Sequence, residues 1–258
     1  TAVDTAETGV EDSSGDPLGG SVGEADVLIA GESSSATGGA VYVGPDTDGD
    51  GSNSVWVSAY FRSINCRFEG QFGSVLLTDA PLCIRQASTS EYTGYSLASN
   101  GQTVAMGAIG GDSSGSYTGK LYLFDEGLAS GTYAETAAFA QVHGEAQGDY
   151  AGMSLAYVGD SNGDGTDDLL VGAPSNDEFG AGSGKAYLFA DGEPVDGSVL
   201  SDATTVVNGS SPPVGAKHGA PEAGDGVGSV LNAAGDVNGD GLGDIVLGCN
   251  GADDGGAD

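Results

Sequence analysis

The chain has 258 residues, 48 of them glycine and 8 proline, which is long enough for one large domain with a sizeable core. Its 38 acidic side chains face only 6 lysines and arginines, a formal net charge of −32. Such a surface repels nucleic acid and anionic membranes, and its natural counter-charges are metal cations, basic proteins or high salt. Glycine in excess without a Gly-X-Y period, beside apolar residues gathered in short blocks, excludes collagen-like and disordered chains and points to tight turns between short strands.

Residues 1–17, TAVDTAETGVEDSSGDP, are acidic and rich in Ser and Thr and read as a linker or leader strand. No signal peptide opens the chain, and Thr1 in place of Met marks a processed or trimmed product. Residues 18–258 read as one repeat domain, with units near 18–90, 91–148 and 149–224 and an incomplete one at 225–258. The first unit is led by Gly20 in GSVGEADVLIAG (20–31), with GGAVYV (38–43) as a third strand. Residues 45–90 match the repeat poorly. Within them WVSAYF (56–61) reads as a packed strand rather than a sugar platform, and Cys66 and Cys83 flank apolar sequence. Those cysteines are either a disulfide or two reduced core thiols, because spacing alone does not show pairing.

The second unit is GYSLASNGQTVAMGA (94–108), whose Ser99-Asn100-Gly101 reads as a tight hairpin turn without metal. GKLYLF (119–124) follows, and TYAETAAFAQV (132–142) offers a fourth, outer strand. The third unit, GMSLAYVGDSNGDGTDDLLVGAP (152–174), aligns without gaps with GSVLNAAGDVNGDGLGDIVLGCN (228–250). After the third come GKAYLF (184–189) and a candidate outer strand in 199–209. The last unit stops after its second strand, so the chain is either a piece of a longer polypeptide or a subunit completed by another chain. Cys249 stands where other copies carry Ala or Glu and reads as a small buried residue.

DVLIAG, DLLVGAP and DIVLGC are near-continuous apolar runs, too short for helices and suited to strands buried on both faces. A four-stranded sheet recurring about every 60 residues is a propeller blade. No stretch of about 18 apolar residues is present, so no transmembrane helix is expected.

The loops before the second strands carry the chemistry. In 160–168, oxygens at positions 1, 3, 5 and 9 come from Asp160, Asn162, Asp164 and Asp168, with the Thr166 carbonyl at position 7. In 236–244 the same places hold Asp236, Asn238, Asp240, Asp244 and the Leu242 carbonyl. Hard oxygen donors in this spacing call for calcium. An EF-hand needs Glu at position 12 and flanking helices, whereas Val171 and Leu247 stand there inside apolar runs. A third candidate, 46–54, offers Asp46, Asp48, Asp50 and Ser52, but its ninth residue is Ser54 and it follows a strand of the GAVYV type.

The motif G-x-x-[LV]…GD-x-N-G-D-G-x-x-D-[LI]-[LV]-[LV]-G-[AC], followed by G-K-A-Y-L-F, resembles the FG-GAP repeat of integrin α-subunit propellers, which also occurs in bacterial secreted proteins. The resemblance implies an all-β fold, a seven-bladed propeller with calcium in loops on one face, of which about four units are present here. Secretion or cell-surface display follows from the same resemblance. His143 and His218 have no nucleophile or metal partner nearby in sequence, and no G-x-S-x-G stands at a strand-to-helix turn. Asn208-Gly209-Ser210 matches a glycosylation sequon. The expectation is a non-enzymatic calcium-binding scaffold or adhesion module that binds a protein, copies of itself included, through its face or an open blade edge. The alternatives are the propeller portion of a secreted hydrolase or lyase, and a lectin-like glycan binder.

Overall fold

The structure is a computed structural model, and it describes residues 29–30, 37–46, 49, 51–70, 75–111, 116–190, 193–208 and 223–251. Among them there are seventeen strands and only single-turn 3₁₀ helices. Three sheets of one pattern follow each other along the chain. The first contains β2 (Thr37–Val43), β3 (Val55–Ala59), β4 (Ile64–Phe68) and β6 (Leu82–Arg85). The second runs β7 (Thr93–Ser99), β8 (Thr103–Ala108), β9 (Lys120–Asp125) and β11 (Ala140–His143). The third runs β12 (Ser154–Tyr157), β13 (Leu169–Ala173), β14 (Lys185–Phe189) and β15 (Thr205–Asn208). A fourth sheet holds β16 (Val227–Gly235) and β17 (Asp244–Cys249). All these neighbours pair antiparallel.

The sheets pack face to face, which explains why the second strands of the inner blades are buried on both faces instead of alternating. Every residue of β8 and of β13 is buried. One core lies between the first two sheets, with Trp56, Leu82 and Ile84 against Met106, Tyr122 and Phe124. The next sets Leu121, Leu123 and Val142 against Leu155, Val171 and Tyr187. A third joins Val158 and Leu170 to Leu231. The first strands β2, β7, β12 and β16 lie side by side as the inner row. This is the arrangement of propeller blades, an arc without ring closure among the described residues.

Close approach in the inner row fixes particular residues. Ser96 and Ser154 hydroxyls donate to the carbonyls of Gly152 and Gly228 in the next blade, at 2.7 and 2.6 Å. A Cβ on Gly107 or Gly172 would lie 2.0 or 2.2 Å from those same carbonyl oxygens, so only glycine fits there. Replacing Ser154 by Ala is expected to destabilise the protein by about 1 kcal/mol, read as a lower urea midpoint with an unchanged slope.

Two of the chain's few basic residues are spent at equivalent buried places. Lys120 pairs with Glu91 at 2.9 Å, and Lys185 with Glu145 at 2.7 Å and also with Glu178. Each lysine starts a third strand and ties down the turn that precedes its own blade. Burial works against the Lys185 charge, yet the hydrogen bonds and charges of Glu145 and Glu178 raise it overall. Burial likewise acts to raise Glu91, but Lys120, Tyr122 and Gln86 hold it below the usual carboxylate range.

The first unit differs from its sequence reading. GGAVYV is not a third strand: β2 is the inner strand of the first blade, and it pairs with β3. Gly38 therefore leads the unit, and its φ of 81° matches 88°, 79° and 83° at Gly94, Gly152 and Gly228. Residues 45–90, poor in repeat signature, supply the other strands of that blade. Ile29–Ala30 (β1) pairs in parallel with β5 (Val75–Leu76). The same parallel contact joins β10 (Gly131–Ala134) to β6, and Val199 to His143. In each case a short segment before a 3₁₀ turn lies along the outer strand of the preceding blade, so β1 occupies an outer-strand position. The leader 1–17 and Gly20 lie outside the described residues. The outer strands expected within 132–142 and 199–209 are β11 and β15.

Cys249 is exposed, not buried. Its counterparts Ala108 and Ala173 are covered by a third strand, whereas β17 pairs only with β16 among the described residues.

Candidate metal centres

Loops 160–168 and 236–244 join the first and second strands of their blades, and 46–54 does the same in the first blade. The third candidate thus precedes a second strand, as the other two do, contrary to its sequence reading. Between β7 and β8 the connection is a short hairpin, closed by Asn100 Oδ1 accepting from Gln102 and Thr103 N–H at 3.0 and 2.8 Å. That is the tight turn expected there.

The two full loops share one hydrogen-bond skeleton. Asp160 Oδ1 accepts from Gly163 and Asp164 N–H at 2.5 and 3.1 Å, and Oδ2 from Gly165 N–H at 2.9 Å. Asp236 does the same with Gly239, Asp240 and Gly241 at 2.6, 3.0 and 2.9 Å. Asn162 and Asn238 each accept from the Asp two residues on at 2.8 Å. Asp164 Oδ1 accepts from Thr166 N–H at 2.8 Å, and Asp240 Oδ1 from Leu242 N–H at 2.9 Å. Gly163 and Gly165, with φ of 86° each, permit the turns. Asp46 repeats the first step, with Gly49 and Gly51 N–H at 2.7 and 2.8 Å. Asp48 and Asp50 lie outside the described residues. Ser52 is described, as is Ser54, which is 1% exposed.

Asp168 and Asp244 close their loops from the start of the second strand. Asp168 Oδ2 accepts from Ser161 N–H at 2.8 Å and from its hydroxyl, and Asp244 Oδ2 from Val237 N–H at 2.8 Å. Asp168 is fully buried, and its Oδ1 has no partner. Burial pushes its carboxyl up, Ser161 offsets part of that, and the charges of Asp164 and Asp160 push it further. Thr166 and Asn162 hold the exposed Asp164 low through hydrogen bonds. The loops bring Asp160, Asn162, Asp164, Thr166 and Asp168 together along one turn, and their counterparts likewise. Their carboxylates face the loop's own N–H groups, and among the described residues no three His, Cys, Asp or Glu side chains converge as a metal-holding group. The residues nonetheless fit calcium: the donors are all oxygen, the backbone is preorganised, and a buried carboxylate oxygen lacks any partner.

The structure pairs Cys66 with Cys83 in a disulfide, on strands β4 and β6. His143 lies on the outer strand β11, with burial lowering its pKa first and Lys120 adding to this. His218 lies outside the described residues, as do Gly209 and Ser210 of the sequon. Trp56 is buried, as its reading as a packed strand residue requires. Tyr60 and Phe61 are not in that strand, which ends at Ala59; they form a 3₁₀ turn, and Phe61 is half-exposed. With Tyr92, Tyr117 and Tyr150 they make a continuous aromatic row, ring to ring at 4.6 to 6.5 Å. These three tyrosines have φ of 55–58°, costly for a bulky side chain. Sequence reasoning missed this row. Its signal was Tyr-x-Gly in Tyr92-Thr-Gly, Tyr117-Thr-Gly and Tyr150-Ala-Gly.

Blades packed on their faces, with acidic loops between first and second strands, define a partial β-propeller. Residues 151–189, the third blade through β14, match the family model of the FG-GAP repeat, so the chain carries an FG-GAP repeat of the propeller class. No curated protein matches the chain.

Proposed function

We propose that the protein is a non-enzymatic, extracellular calcium-binding propeller that serves as a scaffold for protein interaction. The observation that carries the calcium reading is the buried, unpartnered Asp168 Oδ1 at the closing position of a loop that already holds Asp160 and Asp164. Asp160, Asn162, Asp164, Asp168 and the Thr166 carbonyl would hold one ion. Asp236, Asn238, Asp240, Asp244 and the Leu242 carbonyl would hold a second. Bound calcium would supply the positive charge that three carboxylates in one short loop need. Asp160 and Asp236 set the loop backbone through their three N–H bonds, and Asp168 anchors the loop to the buried strand β13. Kinship with integrin-type repeats supports a secreted or cell-surface setting, and no helix among the described residues is long and apolar enough to cross a membrane. Support for an interaction role comes from the partly exposed aromatic row, in which Phe61 and Tyr117 are the more open rings.

The test is calorimetric titration of calcium into the chelator-stripped chain, followed by thermal unfolding. At ten times Kd each site adds about 1.4 kcal/mol, so chelation is expected to lower Tm by several degrees and to speed protease cutting near 160 and 236. No heat of binding and superimposable melting curves would sink the calcium reading.

A further inference from the structure

We propose that Tyr117 and Tyr150 form a site of oxidative cross-linking, in which a carbon–carbon bond between their rings ties the second blade to the third. The inference goes beyond the scaffold reading and stands without bound calcium. It draws on the extracellular setting only for its oxidant, a peroxide turned over by a haem peroxidase.

The backbone holds the pair in register. Tyr117 stands two residues before Gly119 and the third strand of the second blade, and Tyr150 two residues before Gly152 and the first strand of the third. The Tyr150 and Ala151 N–H groups donate to the Tyr117 and Thr118 carbonyls at 3.0 and 3.1 Å, and Gly119 bridges Ala151 in parallel. A Cβ on Gly119 would lie 2.2 Å from the Ala151 carbonyl oxygen, so the two segments approach as closely as glycine allows. Both tyrosines have left-handed backbone, with φ of 58° and 55°. A bulky residue there costs free energy that glycine would avoid, so the strain points to a use for the side chains. What the arrangement achieves is ring contact across the blade boundary, with centroids 5.2 Å apart and planes 31° from parallel.

Two phenol rings in contact are what oxidative coupling needs. Each phenol gives up one electron and its hydroxyl proton, the electrons to the peroxide and the protons to water. The resulting phenoxyl radicals carry spin on the ring carbons beside the oxygen, and two of those carbons join. The hydrogens at the new bond then move to the oxygens and restore both phenols. In sum, two tyrosines and one hydrogen peroxide give one dityrosine and two waters. Tyr117 is 39% exposed, so an oxidant reaches it. Tyr92 stacks on it from the other direction at 6.5 Å, and the shorter contact selects Tyr150 as the coupling partner. The Cys66–Cys83 disulfide belongs to the same oxidising surroundings.

The test treats the full chain, dilute enough to stay monomeric, with hydrogen peroxide and a haem peroxidase. The monomer is expected to lose two hydrogen atoms in intact mass, to gain dityrosine fluorescence, and to yield on proteolysis a linked pair of peptides carrying Tyr117 and Tyr150. Tyr117→Phe and Tyr150→Phe each keep a ring but give no phenoxyl radical. Each is expected to abolish the intramolecular link with an unchanged far-UV spectrum, whereas Tyr95→Phe retains it. Peptides cut from the chain before oxidation are expected to give the same link in lower yield by roughly tenfold or more, because the fold supplies the effective concentration. An unchanged monomer mass, a link mapped to other tyrosines, coupling only between chains, or an equal yield from the cut peptides overturns the proposal. The experiment supplies its own oxidant and needs no calcium, so its outcome is separate from that of the calcium titration.

Discussion

Replacing Asp168 by alanine is expected to destabilise the calcium-loaded protein by roughly 3–4 kcal/mol, and replacing it by asparagine to invert the ranking between calcium and chelator. The alanine figure joins the calcium linkage of one site, about 1.4 kcal/mol at ten times Kd, to the loss of a charged acceptor from Ser161, about 1.5–3 kcal/mol. Asparagine keeps an oxygen for the Ser161 N–H at the start of β13 but removes the negative charge. Without calcium, that charge stands buried beside Asp160 and Asp164 with one oxygen unpartnered, so Asp168→Asn is expected to match or exceed the wild type in chelator. With calcium, the wild type is the more stable. Differential scanning calorimetry of both proteins in calcium and in chelator gives the four midpoints. Parallel shifts, with the variant equally below the wild type in both, would mean that Asp168 is only a structural anchor. Asp244, partly exposed in a two-stranded sheet, is expected to show the same inversion with a smaller amplitude.

Local patterns carried most of the fold into view. The third unit is legible because a calcium-type loop, an apolar second strand and a G-K-A-Y-L-F third strand follow within one blade, where side-chain period and turn chemistry agree, and the fourth because it repeats the first two of these without gaps. The first unit departs from its sequence pattern for a definite reason. DVLIAG imitates a buried second strand, whereas β1 sits at an outer edge along β5. The inner strand β2 reads as a third strand in sequence because GGAVYV looks like GKAYLF. Gly38, not Gly20, has the positive φ that the leading position demands. Cys249 reads as buried because its counterparts in the repeat are covered by a third strand, whereas among the described residues no third strand covers it. Spacing could not reveal the hydrogen bond from Trp56 to Glu126, which joins residues 70 apart in sequence across two sheets. The aromatic row is of the same kind: each tyrosine looks like an isolated turn residue, and only the stacking of blades aligns them.

Removing the Cys66–Cys83 bond is expected to cost about 3 kcal/mol in the chain-entropy model for the short loop it closes, and to lower Tm by roughly 6–12 °C at 2–4 °C per kcal/mol for a domain of this size. The two residues face each other in register on β4 and β6, with Cα atoms 4.1 Å apart and 17 residues of separation. Both are buried beside Val57, Phe68 and Leu77, on the face of the first blade turned away from the second. No neighbouring blade among the described residues covers that face except through β1 and β5, whose Ile29 and Val75 pack on it. The covalent link therefore joins two adjacent strands within that cluster, on the face opposite the one packed against the second blade. Cys249 is exposed and unpaired, so alkylation of the denatured, unreduced chain is expected to mark that cysteine alone, with Cys66 and Cys83 reacting only after reduction. The Cys66→Ala, Cys83→Ala double variant is expected to melt near the reduced wild type and to be indifferent to reductant. Alkylation of three cysteines without reduction would show that the pair is not bonded. A reductant-insensitive midpoint in the wild type would show that the bond forms without bearing on stability.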